Sequence, residues 1–361
     1  MCGCGAETPG GISVKGSAKG NVKGKGILDR LAGGVVLGDG GYIVELEQRG
    51  WVVTGAFTPE VALEHPGAIR ELYSEMKNAG AEVLQVMAFY GSRAKLDTVG
   101  KGDKTREINE MATKVARKIA GGDVLVAGDL STTWSWREGD ADSHQLTARM
   151  LDEQIEAQVG VDFFIGETFH HLGEAKLCLE RIKKVSGLPA MITMSFREKT
   201  TSRDGFTAGE CAARLADAGA DIVGANCMRD PERTYPIIEE MRAATDAYLA
   251  AQPVAYRCSE ETPWFTGTSA FPDRLEPPRL TRYDMADFAK RARDMGVNYI
   301  GGCCGTGAVH LREMARALGK YRERPGWKAN PDAPMSDTEW NWRRVHRQPT
   351  PGKRAGRKNQ R

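Results

Sequence analysis

The sequence lacks long apolar runs and has almost no net charge. No stretch approaches the roughly 18 consecutive apolar residues of a membrane-spanning helix, and the N-terminus has no apolar block of the kind found in secretory signals. Its 50 basic and 48 acidic side chains give a formal net charge of +2, which gives no support for a nucleic-acid-binding surface. We therefore expect a cytoplasmic protein whose partners are small molecules or other subunits, and neither nucleic acid nor a membrane.

Cysteine is also sparse. Eight cysteines in 361 residues are too few for a disulfide scaffold, and in a reducing compartment clustered thiols more often serve metals or catalysis. Cys2 and Cys4 lie in residues 1–25, which are rich in Gly, Lys and Ser, so we expect a disordered leader with exposed thiols. Two other cysteines, Cys303 and Cys304, are adjacent within the stretch YIGGCCGTG.

From residue 26 onward, short apolar runs alternate with longer stretches of helical periodicity. The predicted strands are 35–38, 83–88, 124–128, 162–166, 190–195, 221–225, 253–257 and 298–302. Alternating strands and helices favour parallel pairing, and eight such units close a (β/α)8 TIM barrel, which we expect to span residues 26–319. A doubly wound open sheet is the alternative.

The predicted helices include 59–80, 104–120, 209–219 and 284–296. Three helix-to-strand joints have similar sequences, NAGAEVLQV, DAGADIVGA and DMGVNYIGG, and each has a glycine after the helix. Glycine adopts the left-handed backbone of a helix C-terminus at the lowest cost. We therefore expect Gly80, Gly219 and Gly296 to end their helices.

In a barrel of this kind the active site gathers where strands end and the following loops begin. Carboxylates, aromatic rings and thiols occur at these positions: Asp39 with Gly40 and Gly41, Phe89, Tyr90, Asp129, Glu167, Asn226, Cys227, Arg257, Cys258, Cys303 and Cys304. The topology predicts that they converge at one rim, as a small-molecule site requires.

Three of these thiols suggest a metal site. Cys227 follows the sixth predicted strand, and Cys303 and Cys304 follow the eighth. Three thiols at one barrel mouth can bind Zn²⁺ and leave its fourth position open for substrate. Packing of buried cysteines is the alternative, and a disulfide between neighbouring cysteines is disfavoured by ring strain. Cys258, after the seventh predicted strand, either closes the zinc site or points elsewhere.

Zinc held by three thiolates activates water poorly but keeps a substrate thiol ionised at neutral pH, so this pattern predicts alkylation of a thiol. Asp39 and Glu167 suit the ammonium of an amino-acid thiol, although salt bridges would also explain them. Gly40 and Gly41 would allow backbone N–H groups near the carboxylate of that substrate.

Three aromatic residues, Phe57, Phe89 and Tyr90, would form a cage for a cationic methyl donor, because quaternary ammonium and sulfonium groups favour aromatic faces. Core packing is the alternative for each ring. Trp134 and Trp136, in the loop after the third strand, either cover the donor pocket or pack on a neighbour.

These residues resemble the zinc-dependent homocysteine S-methyltransferases, in particular the members that use betaine. The matching segments are 26–50, 58–73, 89–90, 209–227, 252–256 and 299–305. Together they span about residues 26–315, and the motifs GANC and GGCCG at this separation are highly specific to the family.

The resemblance implies that Cys227, Cys303 and Cys304 bind zinc, that Asp39 and Glu167 contact the homocysteine amino group, and that Tyr90 lies on the donor side. It also implies a (β/α)8 barrel and direct methyl transfer from betaine to homocysteine. The products would be methionine and dimethylglycine, without cobalamin or folate.

The chain departs from the betaine-using members at two positions. Phe57 stands where they have a donor-contacting Trp, and Thr168 stands where they have Tyr. Losing two ring faces would weaken binding of a cationic donor by roughly 1–3 kcal/mol. A sulfonium donor, such as S-methylmethionine or dimethylsulfoniopropionate, is therefore an alternative, and Trp134 or Trp136 would supply replacement surface for betaine.

Residues 320–361 hold Trp327, Trp340 and Trp342 and end in a basic stretch. We expect a C-terminal arm that contacts another copy in a homo-oligomer, as in the betaine-using members; a strap packed on its own barrel is the alternative.

A different class of function, a thiol-based metal-binding or redox module, would explain the cysteines but leave Asp39 and Glu167 without a role.

Overall fold

The computed structural model describes residues 26–52 and 58–321. The predicted leader, Phe57 and residues 322–361 of the predicted arm lie outside the described residues. Within the described part of the chain, no helix is both long and apolar enough to cross a membrane.

Eight short parallel strands form one sheet, in the order β1-β8-β7-β6-β5-β4-β3-β2. The strands are β1 Val36–Leu37, β2 Val83–Gln85, β3 Leu125–Ser131, β4 Phe163–Phe169, β5 Ala190–Met194, β6 Ile222–Asn226, β7 Tyr248–Gln252 and β8 Tyr299–Ile300. β1 pairs with β8, with Val36 opposite Tyr299. Between β1 and β2, the Glu82 N–H donates to the Leu37 carbonyl at 2.9 Å. The predicted (β/α)8 barrel is therefore confirmed.

Helices lie between the strands along the chain. The α-helices are α1 Ile27–Ala32, α2 Ile43–Gln48, α3 Val61–Glu64, α4 Pro66–Ala79, α5 Arg93–Asp97, α6 Thr105–Ala120, α7 Ala141–Ala157, α8 Leu172–Val185, α9 Ala208–Asp217, α10 Pro231–Ala244, α11 Arg282–Asp294 and α12 Ala308–Ala317. Short 3-10 turns occur at Gly102–Lys104 and Phe265–Gly267.

The predicted helix 59–80 is two helices, α3 and α4, which are separated at His65. Pro66 is the first residue of α4, and proline disfavours a helical backbone at the residue before it. At the other end of α4, Gly80 has a φ of +115°. Gly219 and Gly296 are also left-handed, with φ of +96° and +82°, so the three predicted glycine helix ends are confirmed.

The prediction of a seventh strand at 253–257 is wrong. The strand is β7, five residues earlier, and 253–257 belong to the loop that follows it. Pro253 has no N–H to donate to a neighbouring strand, whereas residues of β7 pair with both β6 and β8. Arg257 and Cys258 therefore lie well beyond the end of the strand.

The barrel interior consists of an apolar layer and a polar layer. The apolar layer includes Val83, Leu125, Ala127, Phe163, Ile165, Ile222, Ala250 and Tyr299. Side chains along a strand alternate between its two faces, so the inward positions nearest the carboxyl ends of β2, β3, β4, β6 and β7 form the polar layer. The residues at these positions are Gln85, Asp129, Glu167, Asn226 and Gln252, and all five are buried. This polar layer faces the carboxyl ends of the strands.

Close approach of β6 and β7 depends on Gly224. A Cβ at this position would lie 2.1 Å from the Ala250 carbonyl oxygen. Gly224→Ala should therefore lower the free energy of unfolding by about 1–3 kcal/mol, as measured by denaturant titration. Gly122→Ala is the matched control, because a Cβ there would meet no atom within 4 Å. Equal destabilisation by both substitutions would contradict this account of the β6–β7 contact.

Candidate active site

A pocket at the carboxyl ends of the strands has an empty volume of about 620 Å³, part of it open to solvent. The polar layer forms its floor. The pocket is lined by Gly40, Gly41, Tyr42, Ile43, Val44, Gln85, Val86, Met87, Phe89, Asp129, Glu167, Cys227, Gln252, Gly302, Cys303 and Cys304. Most of the residues that the sequence places at strand ends therefore meet at this mouth.

The thiols of Cys227, Cys303 and Cys304 form a cluster within this pocket. Their three sulfur atoms lie within 4.8 Å of one another, and the Sγ atoms of Cys227 and Cys304 are 3.9 Å apart. In a tetrahedral zinc site, Zn–S bonds of about 2.3 Å place two sulfur ligands roughly 3.8 Å apart. The donor set and its spacing therefore fit zinc, with three protein ligands and a fourth position for another molecule.

The position of Cys227 depends on a left-handed turn directly after β6. Cys227 and Met228 have φ of +58° and +55°, a conformation that non-glycine residues seldom adopt and that often occurs at functional sites. The turn is held by the Cys227 N–H, which donates to the Gln252 carbonyl at 2.9 Å. This backbone brings the Cys227 thiol to the loop after β8.

The Cys303–Cys304 loop is held by backbone hydrogen bonds to the loop that follows β7. The Cys303 N–H donates to the Pro253 carbonyl, and the Cys304 carbonyl accepts from the Ala255 N–H, both at 2.9 Å. Both of these partners lie in the segment that was predicted to be the seventh strand. Its role is thus to fix two candidate metal ligands.

Two glycines after β1 let a further loop pack against the cysteine pair. A Cβ on Gly40 would lie 2.1 Å from the Thr306 carbonyl oxygen, and one on Gly41 would lie 2.6 Å from the Cys303 carbonyl oxygen. The Gly41 N–H donates to Thr306 at 3.0 Å. Both glycines line the pocket, and contact of their N–H groups with a substrate carboxylate stays a prediction.

The three thiols influence one another's ionisation. Hydrogen bonds from the Cys303 and Cys304 thiols hold the pKa of Cys227 well below its usual value. The same interactions with Cys227 raise the pKa of Cys303 and of Cys304 well above the ordinary value. Three thiolates at this spacing therefore need a cation among them.

Cys258 lies apart from this cluster. It is buried, its thiol donates to the Tyr256 carbonyl at 3.5 Å, and burial raises its pKa to about 12. A buried, neutral thiol of this kind is a packing residue. Of the two roles left open for Cys258, the geometry supports the one in which it points elsewhere.

Two buried carboxylates lie on the pocket floor. Glu167 accepts hydrogen bonds from Gln85 Nε2 at 2.8 Å and from Asn226 Nδ2 at 2.6 Å. Burial, followed by the charge of Asp129, raises the pKa of Glu167 well above its ordinary value. Burial also raises the pKa of Asp129 to about 7. Burial therefore disfavours the charged form of both carboxyl groups.

Asp39 is placed differently. It is buried, its Oδ2 accepts from the Tyr42 hydroxyl and from the Gln85 N–H, the latter at 2.6 Å, and burial raises its pKa to about 6. Tyr42 and Gln85 line the pocket, whereas Asp39 itself is not among the lining residues. Its hydrogen bonds fix the Tyr42 side chain and the Gln85 backbone in the pocket wall, and its contact with substrate stays a prediction.

Tyr90, which is not among the described residues that line the pocket, belongs to a group of aromatic rings beside Phe89 of the pocket wall. The Tyr90 ring lies 4.0 Å from the Phe89 ring and 5.8 Å from the Trp134 ring, centroid to centroid. The Lys95 Nζ lies 4.8 Å from the Tyr90 centroid and 5.0 Å from that of Trp134. Burial, and then the charge of Cys227, raises the pKa of the Tyr90 hydroxyl. Tyr90 thus connects the thiols with a group of rings that already accepts a cation.

Trp136 and Thr168 have other partners. The Trp136 ring stacks on the His144 ring at 3.9 Å, which supports packing on a neighbour as its role. The Thr168 N–H donates to Asn226 Oδ1 at 2.9 Å, and its hydroxyl donates to Glu167 at 3.2 Å. Thr168 therefore supports the carboxylate floor and offers no aromatic face.

Tyr42, Gln85 and Gln252 line the pocket but were absent from the predicted site. The signal that would have found the two glutamines is strand periodicity: each lies two residues beyond an inward-facing apolar residue of the same strand. Tyr42 follows the glycines after β1, and the sequence pattern gave no reason to select it.

Comparison with known proteins connects this site with one family. The family model for homocysteine S-methyltransferase matches residues 36–318. A betaine–homocysteine S-methyltransferase 1 from Bos taurus is 40% identical over 318 residues, which cover 84% of this chain and 76% of the relative. An S-methylmethionine–homocysteine S-methyltransferase from Pongo abelii is 38% identical, with 82% of each chain covered.

Solved structures confirm the fold. The homocysteine methyltransferase MmuM from Escherichia coli, in its metallated form, aligns with a TM-score of 0.64 at 20% identity, over 78% of this chain and 96% of that chain. At this identity the likeness concerns the barrel alone. The match to the family model and the identity to the curated relatives extend over most of the chain, so this protein belongs to the homocysteine S-methyltransferase family and is a methyltransferase.

Proposed function

We propose that the protein transfers a methyl group from betaine to the thiol of L-homocysteine, giving L-methionine and dimethylglycine, with Zn²⁺ as cofactor. The observation that carries this proposal is the cluster of three thiols in the same pocket as two buried carboxylates, with no Lys, Arg or His among its described lining residues. The cluster suits a metal and a substrate thiol, and the carboxylates suit the ammonium of an amino acid. The betaine-using relatives at 40% identity support the choice of donor.

Cys227, Cys303 and Cys304 would hold the zinc ion, which supplies the positive charge that keeps a substrate thiol ionised at neutral pH. Glu167 would bind the substrate ammonium, and its orientation is fixed by Gln85 and Asn226. Asp39 either contacts the same ammonium or positions Tyr42 and Gln85 from behind the wall.

The donor would lie next to the thiols, on the side of Tyr90. Methyl transfer needs the donor carbon close to the substrate sulfur, and the Tyr90 hydroxyl is influenced by the charges of Cys227 and Cys304. Phe89 and Trp134 extend the aromatic surface from Tyr90. The ammonium of Lys95 over these rings supports a cation-binding role. Phe57, the remaining predicted donor contact, lies outside the described residues.

A sulfonium donor is the second candidate. Thr168 offers hydrogen bonds in place of an aromatic face, and one relative at 38% identity is an S-methylmethionine–homocysteine S-methyltransferase. Fewer ring faces around the donor weaken the cation–π contribution to betaine binding. Assembly into a homo-oligomer through residues 320–361 also stays a proposal.

A panel of methyl donors tests the reaction. With homocysteine and zinc-loaded enzyme, we expect methionine and dimethylglycine in equal amounts from betaine, and a higher kcat/KM for betaine than for S-methylmethionine or dimethylsulfoniopropionate. Preference for a sulfonium donor by tenfold or more would overturn the donor assignment. Absence of methionine with every donor would contradict the whole proposal.

Removal of one thiol tests the metal site. Cys227→Ser should lower zinc affinity by at least the roughly 10–100-fold that is typical of losing an outer-shell partner, as measured by competition with a chromogenic chelator. Cys258→Ser is the matched control, because this buried thiol lies outside the cluster, and it should keep its zinc. Full zinc content and full turnover in Cys227→Ser would show that this residue is not a ligand.

Two tryptophan substitutions test the donor side. Trp134→Ala should raise the KM for betaine about 2- to 30-fold, the range expected for loss of one cation–π contact, and leave the KM for homocysteine unchanged. Trp136→Ala, whose ring stacks on His144, should change neither value. If neither substitution alters the KM for betaine, the tryptophans are not part of the donor site.

A further inference from the structure

Asp129 is the residue of the pocket that the proposed function leaves unused. It lies in β3 and is 1% exposed. Leu125 and Ala127 precede it on the inward face of the same strand, so alternation directs the Asp129 side chain into the barrel. There it forms part of the pocket lining.

The hydrogen bonding of Asp129 is incomplete. Its Oδ2 accepts a long hydrogen bond from the Ala88 N–H at 3.3 Å, and its buried Oδ1 accepts no hydrogen bond of ordinary geometry from the described residues. Burial raises the pKa of this carboxyl group, and the nearby side chains of Gln85 and Glu167 offset only part of that rise. Leaving a buried charged acceptor unpaired is costly. Glu167 differs, because amide groups of Gln85 and Asn226 satisfy both of its oxygen atoms. Asp129 therefore has the capacity to bind a donor that comes from outside the protein.

The backbone around Asp129 is fixed. The buried side chain of Gln158 accepts from the Asp129 N–H at 2.7 Å and donates to the Asp129 carbonyl at 2.8 Å. Gln158 is held in turn by Asn109 at 2.9 Å. The backbone N–H and carbonyl of Asp129 are thus both hydrogen-bonded, so the backbone that carries the carboxylate is fixed before any ligand binds.

The described part of the pocket surface places no basic side chain beside these carboxylates. Among the described residues that line the pocket there is no Lys, Arg or His. Asp129 and Glu167 lie on neighbouring strands, with Asp129 opposite Ile165 and Ser131 opposite Glu167. Asp129 and Glu167 are thus two acidic side chains at neighbouring inward positions, and the Oδ1 atom of Asp129 is free to accept a hydrogen bond. Such a pair suits a small ligand that carries an ammonium group.

We propose that Asp129 binds the ammonium of the amino-acid thiol together with Glu167, and that this contact makes Asp129 a specificity residue for α-amino thiols. The inference rests on the proposed function and adds a residue to its substrate site. A primary ammonium has three N–H donors, so one can reach Asp129 Oδ1 while another reaches Glu167. A thiol without the amino group would leave Asp129 unpaired and would bind more weakly.

The test compares L-homocysteine with 4-mercaptobutanoate, which has the same carbon chain without the amino group. Asp129→Asn keeps the shape of the side chain and removes its charge. We expect the KM for homocysteine to rise about tenfold or more, while the KM for 4-mercaptobutanoate stays the same or falls. Calorimetric titration of zinc-loaded protein with homocysteine, without donor, should show a loss of affinity of the same size.

Glu174→Gln is the matched control. Glu174 is also a buried carboxylate of the barrel, but its partners are Thr132 and Thr133 and it does not line the pocket. It should leave the preference for homocysteine over 4-mercaptobutanoate unchanged. If Asp129→Asn does not fold, as judged by circular dichroism, Asp129→Ser is tested in the same way.

The outcomes separate the two proposals. Equal effects of Asp129→Asn on both thiols, or no effect on either, would overturn the role of Asp129 while methionine formation by the wild type still stands. If the wild type forms no methionine with any donor, the proposed function fails. The binding titration then decides on its own whether Asp129 recognises the ammonium.

Discussion

Repulsion among negative groups crowded into one pocket is the constraint on which this site depends. The thiols of Cys227, Cys303 and Cys304 and the carboxylates of Asp129 and Glu167 share one pocket, and no Lys, Arg or His is among its described lining residues. Charges removed from water are costly unless a partner compensates them. Each cation in the proposed reaction, namely the metal, the substrate ammonium and the methyl donor, would supply part of that compensation. The same pocket would bind neutral thiols and neutral donors poorly.

The barrel tolerates this arrangement because the residues that stabilise it and the residues of the site lie in separate layers. An apolar layer around Leu125 and Phe163 supports the polar layer that begins with Asp129 and Glu167 two inward positions further along the strands. Several residues at the strand ends have a left-handed backbone, among them Tyr90, Thr168 and Cys227. Each such residue costs on the order of 1–3 kcal/mol. They persist because fixed hydrogen bonds, such as that from Cys227 to Gln252, hold the loops in place.

Much of this fold was predictable because its local signals agree with one another. Alternating strands and helices indicate the barrel, and Gly80, Gly219 and Gly296 end their helices in the left-handed conformation that glycine favours. The seventh strand was misplaced because the apolar residues after Pro253 resemble a strand more than the alanine-rich β7 does. Pro253 has no N–H to donate to a neighbouring strand, and apolar character alone does not reveal this. The small residues of β7, by contrast, allow close packing against Gly224.

The candidate site was less predictable than the fold, because it depends on contacts between distant segments. The cysteines stand out by type and spacing, and the structure brings their sulfur atoms together. Asp39 and Asp129 look alike in the sequence, since both follow apolar strand residues. Only the folded chain distinguishes them: Asp39 is hydrogen-bonded to Tyr42 and Gln85, whereas one oxygen of Asp129 is unpaired.

X-ray absorption at the zinc edge tests the central claim most directly, because it counts the sulfur atoms around the metal. The zinc-loaded protein should have three sulfur ligands at about 2.3 Å without substrate and four after homocysteine is added. Two or fewer sulfur ligands, or a spectrum that homocysteine leaves unchanged, would contradict this claim.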